Sequence, residues 1–168
     1  CLSESTRDEL LELRGDAEVM SGFHPVYDIF EDPIDPEEAR RQLGVDVDVP
    51  TLLFFGYVRR YKGLDVLLEA MAHLPEEMDV QLLVAGAFYE EEADYREQAR
   101  SLGLLAETGP RVRFFPEYVP TEEVHLYFSA ADLVVQPYRS ATQSGVARTA
   151  FYFDRPVVVT DVGGLAEE

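Results

Sequence analysis

The run Thr51-Leu52-Leu53-Phe54-Phe55-Gly56 narrows the choice of fold more than any other stretch of the chain. A strand reading Leu-Leu-Phe-Phe has no wet face, so it must be covered on both sides. A parallel sheet between two helical layers offers that environment, and an antiparallel sheet with one solvated face does not. The pattern then changes period: Leu64, Leu67, Leu68, Met71 and Leu74 recur at helical spacing. Strand-like and helix-like segments keep alternating. Val80 to Gly86 is followed by a polar helix expected from Glu90 to Leu102, stopped by Gly103. Val112 to Phe115 precedes a helix start at Pro120-Thr121-Glu122-Glu123, with Thr121 the expected N-cap. Strands over Asp132–Gln136 and Pro156–Thr160 bracket a helix over Gly145–Phe153. The expected fold class is therefore α/β, a Rossmann-like parallel sheet with helices on both faces. Right-handed crossovers would gather the post-strand loops on one edge of that sheet.

Upstream of Pro50 the pattern is broken. Leu2 to Leu13 reads as the end of a strand and a short helix, Gly22 to Pro36 as a linker rich in Pro, Asp and aromatics, and Arg40-Arg41 as part of a short helix before Gly44. The expected division is a remnant of a preceding domain over residues 1–21, a linker and short helix over 22–49, and a ligand-binding domain over 50–168, incomplete at its carboxyl end. The chain opens Cys1-Leu2-Ser3-Glu4 without an initiator Met or a signal-like segment, as expected of a piece of a longer protein. No apolar run approaches the ~18 residues of a transmembrane span. No internal repeat and no low-complexity tract interrupts it.

Charge sharpens the choice of ligand. The formal net charge is −19, from 33 Asp plus Glu against 14 Lys plus Arg. Basic stripes that would neutralise nucleic-acid phosphates are lacking, so nucleic acid is not an expected partner. Acidic pairs recur along the whole length, at Glu37-Glu38, Glu76-Glu77, Glu90-Glu91, Glu122-Glu123 and Glu167-Glu168. Among the basic residues only Lys62 is a lysine. Dispersed acidity with arginine in place of lysine suggests a salty cytoplasm, in which self-repulsion is screened. A single Cys is compatible with a reducing compartment and offers no disulfide framework.

Lys62 stands in Gly56-Tyr57-Val58-Arg59-Arg60-Tyr61-Lys62-Gly63, just past a strand end and just before a helix. A lysine kept where arginine rules elsewhere suggests a need for a compact point charge. Post-strand loops and helix amino ends are where α/β proteins hold anions. The Gly56–Gly63 loop, with the three positive charges Arg59, Arg60 and Lys62, is thus a candidate diphosphate clamp; the plainer reading is a solvated basic turn. The loop Tyr138-Arg139-Ser140-Ala141-Thr142-Gln143-Ser144-Gly145-Val146 opens a second helix with small residues. Its N–H groups are open either to an anion or to capping by Ser and Thr. Gly163-Gly164 fits close ligand approach or simply a tight turn. The dinucleotide and P-loop glycine patterns are absent. His24, His73 and His125 show no metal spacing; His24 reads as a structural linker residue. Glu90-Glu91 reads as a solvated helix start.

Taken in order, Phe55–Asp65, Leu82–Gly86, Phe115–Val124, Ser129–Pro137 and Arg155–Glu167 resemble the donor-binding half of the retaining family 4 glycosyltransferases, which have a GT-B fold. His24-Pro25-Val26-Tyr27-Asp28-Ile29-Phe30 also resembles the segment joining the two domains of that family. The resemblance implies sugar transfer from a nucleoside-diphosphate sugar to a glycan, lipid or other acceptor, with anomeric configuration retained and no metal or other cofactor. It places Lys62 on the diphosphate with Arg59 assisting beside Gly56, and the N–H groups of Ser144, Gly145 and Val146 near a phosphate. Glu117, Tyr118 and Val119 would flank the base. Two departures stand out. Tyr57 occupies a position that is often Arg, and the family's glutamate pair, eight positions apart, falls on Ala141 and Thr149. Gln143 and Ser144 are then the candidates for the replaced polar contacts, with Thr149 at the ribose-facing position. The acceptor would be met through an amino-terminal domain, in a cytoplasmic protein able to touch a membrane only peripherally. A nucleotide-sugar-binding domain that has lost catalysis is the alternative. A receiver domain is disfavoured because Asp132 precedes its strand instead of ending it.

Overall fold

The structure is a computed structural model that describes residues 3–22, 25–75, 77–106 and 111–167; Cys1, Leu2, His24, Glu76 and Glu168 lie outside them. Five strands, β1 (Thr51–Phe55), β2 (Gln81–Ala85), β3 (Val112–Phe115), β4 (Leu133–Gln136) and β5 (Val157–Val159), form one parallel sheet in the order β3-β2-β1-β4-β5. The strand order reverses between β1 and β4. That reversal opens a crevice at the carboxyl ends of the two central strands, because the following connections leave in opposite directions.

Two helical layers cover the sheet. On one face Phe54, Leu82 and Val84 meet α3 (Leu64–His73) and α4 (Glu92–Ser101), through Leu64, Leu68, Met71 and Ala99. On the other, Leu53, Leu83, Ala85 and Val134 meet α2 (Pro36–Leu43), α5 (Val124–Ala130) and α6 (Gly145–Tyr152). β2 is buried at all five positions, as an apolar run without alternation requires. Each large apolar side chain sealed in these layers contributes about 1.5–3 kcal/mol. The first helix, α1 (Glu4–Leu13), buries none of its residues. Among the described residues no helix is long and apolar enough to cross a membrane.

Local chemistry sets the element ends, and in two places it differs from the sequence expectation. Thr121 is not an N-cap. The Glu123 N–H bonds the Pro120 carbonyl at 3.0 Å, closing a 3-10 turn over Thr121–Glu123 that feeds α5, so the Thr121 hydroxyl has no capping role. Helix α4 starts at Glu92, and Glu90 is no idle surface charge: its carboxylate accepts from the Arg60 N–H at 2.7 Å and the Tyr95 hydroxyl at 2.8 Å. Helix α2 follows the rules closely. Asp35 accepts from the Glu38 N–H, Pro36 opens the helix, and Gly44 ends it with φ of 66°.

The α2 segment is fastened to the amino edge of the sheet. Arg40, 7 % exposed, donates to the Ala130 and Val47 carbonyls at 2.9 Å and to the Asp132 carboxylate at 2.7 Å. Asp132 also accepts from the Thr51 N–H. Asp132 therefore precedes β4 as a structural anchor, away from the carboxyl edge.

Candidate functional site

A cleft of about 380 Å³ lies at the strand-order reversal. Gly56, Tyr57, Tyr61 and Lys62 reach it from the loop after β1, and Tyr138, Gln143, Ser144 and Gly145 from the loop after β4. Val146 and Thr149 of α6 form its floor, and Tyr27, Ile29 and Phe30 close it from the upstream segment. None of the lining side chains is acidic, in a chain with 33 Asp plus Glu.

Lys62 is the charged group of this cleft. It lies in a 3-10 turn, Arg60–Lys62, whose side chain folds back over the end of β1. The residue is only 8 % exposed, and no carboxylate pairs with it among the described residues. Its Nζ makes one long contact, 3.5 Å to the Phe55 carbonyl, and sits 5.5 Å from the centre of the Tyr138 ring. Burial, aided by the nearby Arg59 charge, pulls its pKa down to about 8. A Cβ at position 56 would come within 3.0 Å of this ammonium, so Gly56, with φ of 91°, leaves the space into which Nζ projects.

Across the cleft, α6 presents its amino end. Ser144 is the N-cap, and its Oγ accepts from the Val146 N–H at 3.2 Å. This corrects the expectation for Val146, whose N–H is already taken. The Gly145 N–H has no such internal partner among the described residues. Thr149 donates its hydroxyl to the Gly145 carbonyl at 3.0 Å, which leaves only acceptor capacity toward the cleft. The Gln143 Oε1 is buried without a hydrogen-bond partner, as are both amide atoms of Gln136 at the end of β4.

The two loops are locked together. The Arg139 N–H bonds the Tyr61 carbonyl at 2.7 Å, and its guanidinium grips Asp65 of α3 with two 2.7 Å bonds while reaching the Arg60 carbonyl at 3.1 Å. The Arg139 charge holds the Asp65 carboxyl below its ordinary range. Behind the β4 loop, a Cβ on Gly163 would come within 1.8 Å of the Ala141 carbonyl oxygen, so the close approach demands glycine.

A second, drier slot of about 210 Å³ adjoins the cleft, sharing Gly56 and Tyr57 with it. Tyr118 and Val119 line it, whereas Glu117 does not and is exposed. Arg59 lines neither opening. Its guanidinium lies 4.2 Å from the centre of the Tyr89 ring, stacked against the aromatic face instead of aimed at the cleft. Sequence reading missed Tyr138 and Arg139, although both stand in the loop it singled out. It also missed Phe30, whose ring contacts Tyr152 and Phe153 at 5.6 and 5.7 Å. Aromatics inside a Pro- and Asp-rich segment were the available signal.

Residues 49–168 match the family described as glycosyl transferases group 1. The chain belongs to that family. Among curated relatives of this group 1 chain, D-inositol 3-phosphate glycosyltransferase 1 of Catenulispora acidiphila is 37 % identical over 166 residues, covering 94 % of this chain and 39 % of the relative. The D-inositol 3-phosphate glycosyltransferase of Xylanimonas cellulosilytica is 39 % identical over 148 residues, covering 82 % and 33 %. The chain thus spans between 33 % and 39 % of the length of these relatives. Among solved structures, WaaG, a glycosyltransferase involved in lipopolysaccharide biosynthesis, superposes with a TM-score of 0.81 at 25 % identity, covering 99 % of this chain and 45 % of WaaG. Anabaena Alr3699/HepE, solved in complex with UDP and glucose, gives 0.79 at 26 % identity with the same coverage. The fold is the Rossmann-like half expected of a GT-B glycosyltransferase.

Proposed function

We propose that residues 50–168 are the donor-binding half of a retaining family 4 glycosyltransferase, residues 22–49 its interdomain linker and short helix, and residues 1–21 the edge of its acceptor domain. The observation that carries the reading is Lys62, a buried ammonium with no carboxylate, placed opposite a helix amino end in a cleft without acidic side chains. Such a site suits an anion. A nucleoside diphosphate would seat its phosphates between Lys62 and the Gly145 N–H. As the glycosidic bond breaks, charge accumulates on the leaving diphosphate, and a preorganised ammonium in a poorly hydrated cleft stabilises it without reorganisation. The cation is supplied by the chain, so no metal is assigned. The base would lie against Tyr118 and Val119 with Glu117 at the margin, and the sugar and ribose hydroxyls would meet Gln143, Ser144 and Thr149.

The acceptor would be a glycan, a lipid or, by likeness to the relatives named above, a phosphorylated polyol, bound by sequence outside residues 50–168. This half alone would not turn over. A cytoplasm of high ionic strength suits the acidic surface, and compactness is expected to fall at low salt.

The test is calorimetric titration of nucleoside diphosphates and their sugars at molar salt. Binding of at least one, lost in Lys62→Ala, is the expected result. A folded protein that binds none, or a Lys62→Ala variant that binds as well as the parent, sinks the reading. One observation favours a second reading, a binding domain without catalysis: Ala141 and Thr149 replace the glutamate pair, and no other carboxylate lines the cleft. Full-length protein that binds a nucleotide sugar yet releases no nucleoside diphosphate with any acceptor would support it.

A further inference from the structure

Two tyrosines, Tyr57 and Tyr118, line the dry slot, and a third, Tyr89, packs against Tyr57. Tyr57, Tyr89 and Tyr118 are 42 %, 62 % and 60 % exposed. Apolar and aromatic side chains scattered singly over a surface are ordinary, whereas a contiguous exposed group beside a cavity marks a binding surface. The Tyr57 ring meets Tyr89 edge-on at 5.2 Å and 88°, and leans toward Tyr118 at 6.1 Å and 31°. The Arg59 guanidinium lies against the Tyr89 ring. The backbone beneath is fixed: Val58 bridges Phe88 in parallel register, the Val58 N–H bonds the Ala87 carbonyl at 2.9 Å, and the Tyr89 N–H bonds the Val58 carbonyl at 3.1 Å. The rings therefore stand on a short added strip of sheet, not on a loose loop.

The chemistry of the slot selects its guest. Phe55, Gly86, Ala87, Val119 and Val124 give it apolar walls. A sugar ring would leave its hydroxyls unpaired there, at a desolvation cost. A flat heterocycle would stack on tyrosine and reach backbone polar groups with its edge. Gly56 and Tyr57 belong to both openings, so one molecule spanning them is aromatic at one end and anionic at the other.

We propose that Tyr57 is the second jaw of an aromatic clamp, opposite Tyr118, that stacks the heterocycle of the donor's nucleoside, and that Arg59 acts through Tyr89 to hold Tyr57 in place. Tyr57 is then a base-binding residue and Arg59 a positioning residue. This rests on the donor reading above. It moves Arg59 from the phosphate to the base, and it separates affinity into a phosphate part at Lys62 and a heterocycle part at Tyr57.

The test is titration of the whole chain at molar salt with inorganic pyrophosphate, uridine diphosphate, guanosine diphosphate and uridine. Loss of a stacking partner typically weakens binding about tenfold per base. Tyr57→Ala is expected to weaken the better nucleoside diphosphate by about that factor while leaving pyrophosphate unchanged, and Tyr57→Phe to bind as the parent does. Arg59→Ala is expected to show a smaller loss of the same selectivity, and Arg59→Lys to restore part of it. The chain has no Trp, so its fluorescence comes from tyrosine, and a nucleoside diphosphate should quench it where pyrophosphate does not. Equal losses for pyrophosphate and nucleoside diphosphate in Tyr57→Ala, or no loss for either, overturn the clamp and leave the donor reading standing. A parent chain that binds no nucleoside diphosphate overturns the donor reading itself, and the clamp with it.

Discussion

Arg40 and Lys62 are buried to almost the same degree, 7 % and 8 % exposed, at opposite ends of the same pair of central strands. Among the described residues no other charged side chain is buried. Arg40, at the amino edge, has every arm occupied by two carbonyls and a carboxylate. Its neighbour Gln81 is equally well served, donating to the Asp46 carbonyl at 2.6 Å and the Thr51 hydroxyl at 2.9 Å. At the carboxyl edge Lys62 has one long contact, and Gln136 and Gln143 carry unpaired buried atoms. The polar groups around Arg40 are satisfied, and those around Lys62 are left open. Buried polarity that is satisfied holds a fold together; buried polarity left unsatisfied costs stability and is retained where a ligand completes it.

If the two ends differ in this way, substitutions at each should fail differently. The largest effect is expected from Arg40→Ala, which strands two backbone carbonyls and takes from Asp132 its charged partner. Denaturant unfolding should show a loss of about 2–3 kcal/mol, somewhat below the cost of breaking a fully buried pair because Asp132 is half exposed. Ligand affinity of the folded fraction should not change. Lys62→Met inverts the pattern. Nucleoside diphosphate affinity should fall on the order of tenfold to a hundredfold, as for loss of charged hydrogen bonds, while the melting temperature holds or rises. A Lys62→Met variant that unfolds early would erase the distinction.

The same contrast has a pH signature. Because the folded pKa of Lys62 is about 8, below its ordinary value of 10.5, the charged form carries a folding penalty at neutral pH. That penalty is relieved between pH 8 and 10.5, so this group makes stability rise over that window. Anion affinity runs the other way: full below pH 8 and lost as the ammonium titrates above it. Diphosphate binding at pH 8 should take up a proton, visible as a binding enthalpy that depends on the buffer.

Smaller effects refine the picture. Gln136→Leu removes an orphaned amide and should stabilise by about 1 kcal/mol; a loss instead would mean that the amide is paired when ligand or water is present. Arg139→Ala should cost only about 0.5–1 kcal/mol, the worth of a half-exposed ion pair, yet raise the donor Kd a fewfold by loosening the two cleft loops.

The sheet was readable because its evidence is local. Leu52–Phe55 and Leu82–Ala85 are apolar at consecutive positions, and the helices between them repeat at 3.6 residues. Lys62 was readable for a compositional reason, as the lone lysine beside a strand-end glycine. What could not be read depends on partners distant in sequence. Arg139 meets Asp65 across 74 residues and Arg40 meets Asp132 across 92; no local pattern marks either pair. Arg59 misled because proximity in sequence to Lys62 says nothing about direction, and its side chain turns toward Tyr89. Val146 was assigned a free N–H that the Ser144 hydroxyl consumes, a competition visible only once the capping geometry is seen.

Helix α1, which buries nothing, is held at its first turn by one carboxylate: Glu167 accepts from the N–H groups of Glu4 and Ser5 at 2.7 and 3.0 Å. Ser3 presses on Gly164, and Gly163 and Gly164 in turn lean on the backbone of Ala141 and Thr142. This is a series of close contacts from α1 to the wall of the cleft. A displacement of α1 would press, through these contacts, on the loop that carries Gln143. The cleft then has a handle as well as a floor: α1 reaches its wall through contacts that involve no residue lining it.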